Sequence, residues 1–172
     1  MTKIYAGIGS RRTPQEMLEL IKKIGGKLAE LGWTLRTGAC CGPDQYFANG
    51  ALKVGGNVVL CLPWWCYEKV WVKAAKDLGA QVETLTDTDR EAFEAVKEFH
   101  PAAHRLMPAV KKLHARNHNI LKGSSFVVCY TPGGKVSGGT GQALREAISR
   151  GVLIRNLGNP EVVKRVKKRL KI

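Results

Sequence analysis

Lys3-Ile4-Tyr5-Ala6-Gly7-Ile8-Gly9-Ser10-Arg11-Arg12-Thr13-Pro14 sets the reading of the whole chain. Its apolar first half is expected to be a buried strand, broken at Gly9 and Ser10. Two arginines follow, then Thr13 as the expected N-cap with Pro14 at the first helical position. Glycine lets backbone pass close to a ligand, and a helix N-terminus offers unpaired N–H groups to an anion. Arg11 and Arg12 add charge and forked donors. The stretch is therefore either a phosphate cradle or an ordinary βα turn with solvated arginines.

The same strand–turn–helix order recurs downstream. Apolar residues from Met17 to Leu31 share one helical face, and Gly32 closes that helix. A short strand over 33–36 leads into Thr37-Gly38-Ala39-Cys40-Cys41-Gly42-Pro43-Asp44, with Pro43 early in a second helix. Asp44 either meets the helix dipole or aims its carboxylate at a ribose hydroxyl or base edge. The continuous apolar run 57–62 predicts a strand buried on both faces, ending in Pro63-Trp64-Trp65-Cys66-Tyr67. Trp64, Trp65 and Tyr67 are candidates to stack a base, or else cap the core or an oligomer contact.

A helix over 68–78, an edge strand over 80–85 and an acidic, solvated helix over 89–99 come next. His100/His104 and His114/His118 form two i, i+4 pairs, but no acidic or thiol partner accompanies them, and no metal or resident cofactor is expected. Arg116 and Asn117 precede another apolar strand over 125–130. That strand opens into a turn holding Ser137-Gly138-Gly139-Thr140-Gly141-Gln142, more glycine than a turn needs and suited to an anion-binding nest. A helix from Ala143 and a last strand over 152–157 follow. The chain ends in an amphipathic helix, 160–171, with a basic outer face.

This alternation predicts an α/β fold: a doubly wound, Rossmann-like parallel sheet in three layers, with the turns after the first, second and late strands converging at its carboxyl edge. The 172 residues suit a single domain, and 44% hydrophobic content excludes a disordered chain. No run approaches the ~20 apolar residues of a membrane helix, nor is there a signal-peptide core, so a cytoplasmic protein without membrane contact is expected. Lys and Arg number 28 against 14 Asp and Glu, a formal +14 that favours polyanionic partners unless it reflects a generally basic proteome. Five cysteines suit reduced thiols, with Cys61 and Cys129 in the core.

Four motifs occur in one order: Gly9-Ser10-Arg11, Gly42-Pro43-Asp44 with Gly50-Ala51-Leu52, Arg116-Asn117 with Ile120 and Gly123, and Ser137 to Ala143. Together they resemble the Rossmann-like domain of the DNA-processing protein A (DprA) family. That family lies within the SLOG superfamily, which also holds the LOG phosphoribohydrolases; the single-domain form is similar to small phage-type members. The resemblance implies a phosphate or nucleic-acid pocket built from Gly9, Ser10, Arg11, Gly38, Asp44, Arg116, Asn117 and the 137–142 loop, with Arg12 beside it. In the DNA-processing branch it implies single-stranded nucleic acid as ligand and a recombinase as partner; a dimer is common in the superfamily.

The LOG enzymes carry a catalytic glutamate after the glycine loop. Here Leu144 or Arg145 falls at that position and Glu146 lies beyond, which leaves Glu146 and Asp44 as catalytic candidates. The leading expectation is a single-stranded nucleic-acid or nucleotide-phosphate binder. The alternatives are a nucleotide N-glycosidase and a non-catalytic sensor or sequestering protein for a nucleotide-derived signal.

Overall fold

The computed structural model describes residues 3–172. Six strands form one all-parallel sheet: β1 (Ile4–Gly9), β2 (Thr34–Thr37), β3 (Val58–Leu62), β4 (Gln81–Thr84), β5 (Phe126–Tyr130) and β6 (Leu153–Asn156). Seven α-helices accompany them: α1 (Gln15–Glu30), α2 (Pro43–Lys53), α3 (Lys69–Asp77), α4 (Arg90–Phe99), α5 (Pro108–Leu121), α6 (Gly138–Ser149) and α7 (Pro160–Leu170). The strand order is β4-β3-β2-β1-β5-β6. The chain walks outward from β1 to β4, then returns to lay β5 on the free side of β1. That reversal opens a crevice beyond the carboxyl ends of β1 and β5, where such sheets bind ligands.

Alternating residues of the strands feed two cores. Tyr5, Leu35, Leu60 and Val128 pack under α1, α2, α3 and α7. Ala6, Ile8, Val127 and Cys129 pack under α5 and α6. The result is the expected Rossmann-like, three-layer α/β/α arrangement. Gly25 and Gly50 lie inside helices, where glycine is poor, because α1 and α2 touch there: a Cβ on Gly50 would lie 1.9 Å from the Lys22 carbonyl oxygen. Among the described residues, no helix is long and apolar enough to cross a membrane.

Three local expectations change. Thr13 does not cap α1; Pro14 holds that position, and the Thr13 hydroxyl donates instead to the Ser10 carbonyl at 2.6 Å. Helix α6 begins at Gly138 rather than Ala143, so half of the glycine-rich turn is helix. Helix α4 is not solvated all round, because Ala92 and Val96 are buried beside Ala115 of α5.

Candidate functional site

A cleft of about 570 Å³ lies at the carboxyl edge of the sheet. Residues of the turns leaving β1, β2 and β5 line it, together with one face of α5 and Tyr67. The expected convergence of the three turns is therefore present, and each contributes something different.

The β1 turn is folded tightly on itself. The Ser10 N–H donates to the Tyr130 carbonyl at 2.9 Å, and the Ser10 hydroxyl oxygen accepts from the Arg12 N–H at 3.1 Å. Gly9 abuts α2, since a Cβ there would come within 2.7 Å of Pro43. The turn pushes Arg11 and Arg12 outward, exposed on the cleft wall, and neither has a carboxylate partner among the described residues.

The β2 turn supplies a buried ion pair. Gly42 caps α2 at φ +105°, a conformation that favours glycine, and Pro43 occupies the first turn. Asp44 then meets Arg116 of α5, its Oδ2 accepting from Nη1 at 3.2 Å. Both side chains are more than nine-tenths buried. Burial pushes the Asp44 carboxyl above its ordinary range, and the Arg116 guanidinium opposes that shift. Gly38 makes the pair possible, because a Cβ there would stand 1.8 Å from Arg116 Nη1. So Gly38 lies behind the cleft wall rather than on it. Cys40 and Tyr67 extend the same wall; burial raises both the thiol and the phenol, so both stay protonated near neutral pH.

The β5 turn supplies backbone. Ser137 is extended and caps α6 without a side-chain hydrogen bond. The first intrahelical bond runs from the Gly141 N–H to the Ser137 carbonyl at 3.0 Å. The N–H groups of Gly138, Gly139 and Thr140 have no helical acceptor, and these residues line the cleft with Ser137. Gly141 and Gln142 are buried one turn deeper; Gln142 Oε1 accepts from Asn117 Nδ2 at 3.0 Å, which fixes Asn117 on the cleft wall.

Helix α5 forms the floor. Val110, Leu113, His114 and Asn117 fall at i, i+3, i+4 and i+7, one face of a helix turned toward the cleft. Val110, Leu113 and His114 went unread as lining residues, although this spacing was the available signal; Cys40, in the β2 turn, carried no such signal. Burial, then His100, Arg116 and Arg145, push the His114 imidazole down to about 4, so it is neutral at physiological pH. The i, i+4 histidine pairs do not converge; instead the His100 and His114 rings meet edge to face, centroids 4.5 Å apart. Among the described residues, no group of three or more His, Cys, Asp or Glu is placed to hold a metal ion.

Glu146 lies away from the cleft. It is fully buried, accepting from His118 Nδ1 at 2.8 Å and paired with Arg150 at 2.5 Å. With Nδ1–H committed to Glu146, the nearby Arg150 nitrogen is a charge neighbour of His118 and not a hydrogen-bond donor to it. The stacking candidates also separate. Tyr67 lines the cleft; Trp64 packs edge to face on it at 5.2 Å but lies outside, and Trp65 is 75% exposed beneath Lys69. None of the α7 cations lines the cleft.

No family model matches the chain, and no curated protein matches it by sequence. Among solved structures, it is similar to the Chlamydomonas rheinhardtii Moco carrier protein at 18% identity and TM-score 0.58, over 98% of this chain and 84% of that one. A second structure of the molybdenum cofactor carrier protein from Chlamydomonas reinhardtii is 16% identical at TM-score 0.48, over 99% of each chain. Likeness at this identity establishes a common Rossmann-like fold. It also corrects the leading expectation of single-stranded nucleic acid. The fold neighbour is a carrier of a small cofactor, and here the arginines face a bounded cleft instead of a groove tracked by stacked aromatics.

Proposed function

We propose that the chain is a non-catalytic binding protein that holds a small phosphate-bearing ligand in this cleft, either a nucleotide-derived signal or a cofactor of the kind named for its fold neighbour. The observation that carries the reading is the meeting of two uncompensated arginines with an uncapped helix N-terminus. Arg11 and Arg12 face the cleft on one side, and the Gly138–Thr140 N–H groups open on the other. Phosphate is the anion this combination suits. Tyr67, Cys40 and the apolar face of α5 would then receive the rest of the molecule. A volume of about 570 Å³ is in the range of small-molecule sites.

The same geometry argues for retention and against turnover. Asp44 is the one carboxylate among the lining residues, and Arg116 holds it buried. A glycosidase needs a carboxyl group free to reach the leaving base. Membership of the SLOG superfamily, supported by the four motifs in order, belongs to this reading.

The test is isothermal titration with nucleoside monophosphates and with molybdenum cofactor released from a donor enzyme, followed by chromatography for products. Stoichiometric binding of one of them, recovered intact and weakened by Arg11→Ala, is the expected result. Release of a free base would replace the reading with an enzymatic one, and failure of every ligand to bind would remove it.

A further inference from the structure

A second hollow, of about 310 Å³, opens at the opposite edge of the sheet, between α1 and α7. Its floor is built from alternating strand residues, Phe126 and Val128 of β5 beside Leu153 and Arg155 of β6. The period-two pattern calls for an apolar residue at 155, because that face lies beneath helices. Arg155 stands there instead, half-buried, and Arg169 of α7 lines the same hollow. Neither guanidinium has a carboxylate within ion-pair distance among the described residues. Leu31 and Leu153 are 48% and 51% exposed on the same lining. Arg155 gives up part of its hydration on the apolar floor while Arg169 stands exposed at the rim, an arrangement that an anion with an apolar tail suits.

We infer that this hollow is a binding site for an amphipathic carboxylate of medium chain length, with its head on Arg155 and Arg169. At roughly 30 Å³ per water-sized unit, the hollow takes about ten such units of chain. Charge complementarity selects this occupant over a second copy of the chain. Helix α7 also carries Lys164, Arg165, Lys167 and Lys168, with Lys171 just past its end, and of these Lys164 alone has a carboxylate partner among the described residues, Glu161 at 2.8 Å. A second copy docked by the same face would bring a matching set of cations against them.

Trp33 lines the hollow and serves as the reporter. The experiment titrates the full chain with decanoate, below its micelle concentration, and follows tryptophan fluorescence and heat. Decanol and anionic phospholipid vesicles are the parallel titrants. Saturable decanoate binding is expected, at least tenfold tighter than decanol, and weakened about tenfold by Arg155→Gln and by the exposed Arg169→Ala. Melting curves confirm that each variant is folded. Equal binding of decanol, binding of vesicles without free decanoate, concentration-dependent dimerisation that decanoate does not displace, or no response from the folded chain would each overturn the inference.

Discussion

The turn leaving β2 and the turn leaving β5 are both rich in glycine, and they use it in opposite ways. At Gly38 the missing side chain is filled by other atoms, with Arg116 Nη1 at 1.8 Å and Asp44 Oδ2 at 2.3 Å from where a Cβ would stand. At Gly133 and Gly138 nothing lies within 4 Å of a Cβ, and both residues have positive φ. One turn spends its glycine on packing a buried ion pair, whereas the other spends it on backbone shape beside an open cleft. Glycine density in a βα turn therefore says only that backbone is near something. What it is near depends on the partner element, and here a single helix, α5, decides it.

The largest effect that could break this contrast comes from Gly38→Ala. The new methyl group must displace the Arg116–Asp44 pair, and stranding a buried charge costs about 3–5 kcal/mol. Urea denaturation should show a loss of that size. A loss below about 1 kcal/mol would mean that the pair re-forms elsewhere and that Gly38 is not the device that seats it.

His114 gives the next largest effect, and its sign is fixed by the direction of its shift. Its imidazole titrates at about 4 when folded, against about 6.5 unfolded. The unfolded chain takes up the proton first as pH falls. The stability this group contributes is thus complete above about pH 6.5 and is lost on the way down through 4, up to about 3 kcal/mol. Asp44, raised in the fold, works in the opposite direction. Comparing wild type with His114→Gln isolates the imidazole: the variant should lose less stability between neutral pH and acid, measured by thermal melts across that range. Parallel curves would show that burial does not hold His114 neutral.

The outline of the fold was legible because strand pattern and turn chemistry agree along the chain. Apolar runs such as Val58–Leu62 read as parallel strands buried on both faces, and that is where they lie. Pro43 and Pro160 marked helix starts, and Asn159 caps α7 by accepting from the Glu161 N–H at 2.9 Å. The cleft was legible in part. Arg11, Arg12, Asp44 and Ser137 lie at it, polar residues of the glycine-rich turns, and so does Arg116, singled out by its place ahead of the late strand and by the motif it shares with Asn117. Two things were not. Glu146 reads as a free acid in sequence, because its partner His118 comes from α5 by helix packing that adjacent residues do not reveal; Arg150, four residues on at the end of the same helix, was the one local signal of its pairing. Trp65 reads as a stacking residue, but the turn before α3 throws it outward, with Glu68 in a left-handed conformation. Aromatic content alone carries no direction.

Arg11→Ala and Arg12→Ala sharpen the contrast on the cleft side. Both residues are exposed and unpaired among the described residues, so stability should change by less than about 0.5 kcal/mol. Affinity for a phosphate-bearing ligand should drop about ten- to hundredfold, the range of a charge-assisted hydrogen bond. The same calorimeter that measures ligand heats can record the melting temperature of each variant. Unchanged affinity in both variants would place the anion on the α6 N-terminus alone.

Gly138→Ala is the smallest and most discriminating change. Gly138 follows the extended N-cap Ser137, holds φ at +66°, and has open space where a Cβ would go. Its cost can come only from backbone, since no neighbour needs to move, and a left-handed alanine costs about 1–2 kcal/mol. Gly138→Asn should cost less, because asparagine tolerates that conformation better. If the β5 turn is open as described, alanine loses about 1 kcal/mol and asparagine a fraction of it, both well short of the Gly38→Ala loss. Equal losses for alanine and asparagine would instead point to a packing clash, which would make the two turns the same kind of structure. The order of the three variants in one denaturation series therefore reads out directly whether the glycines beside Ser137 shape an open anion site or fill a packed one.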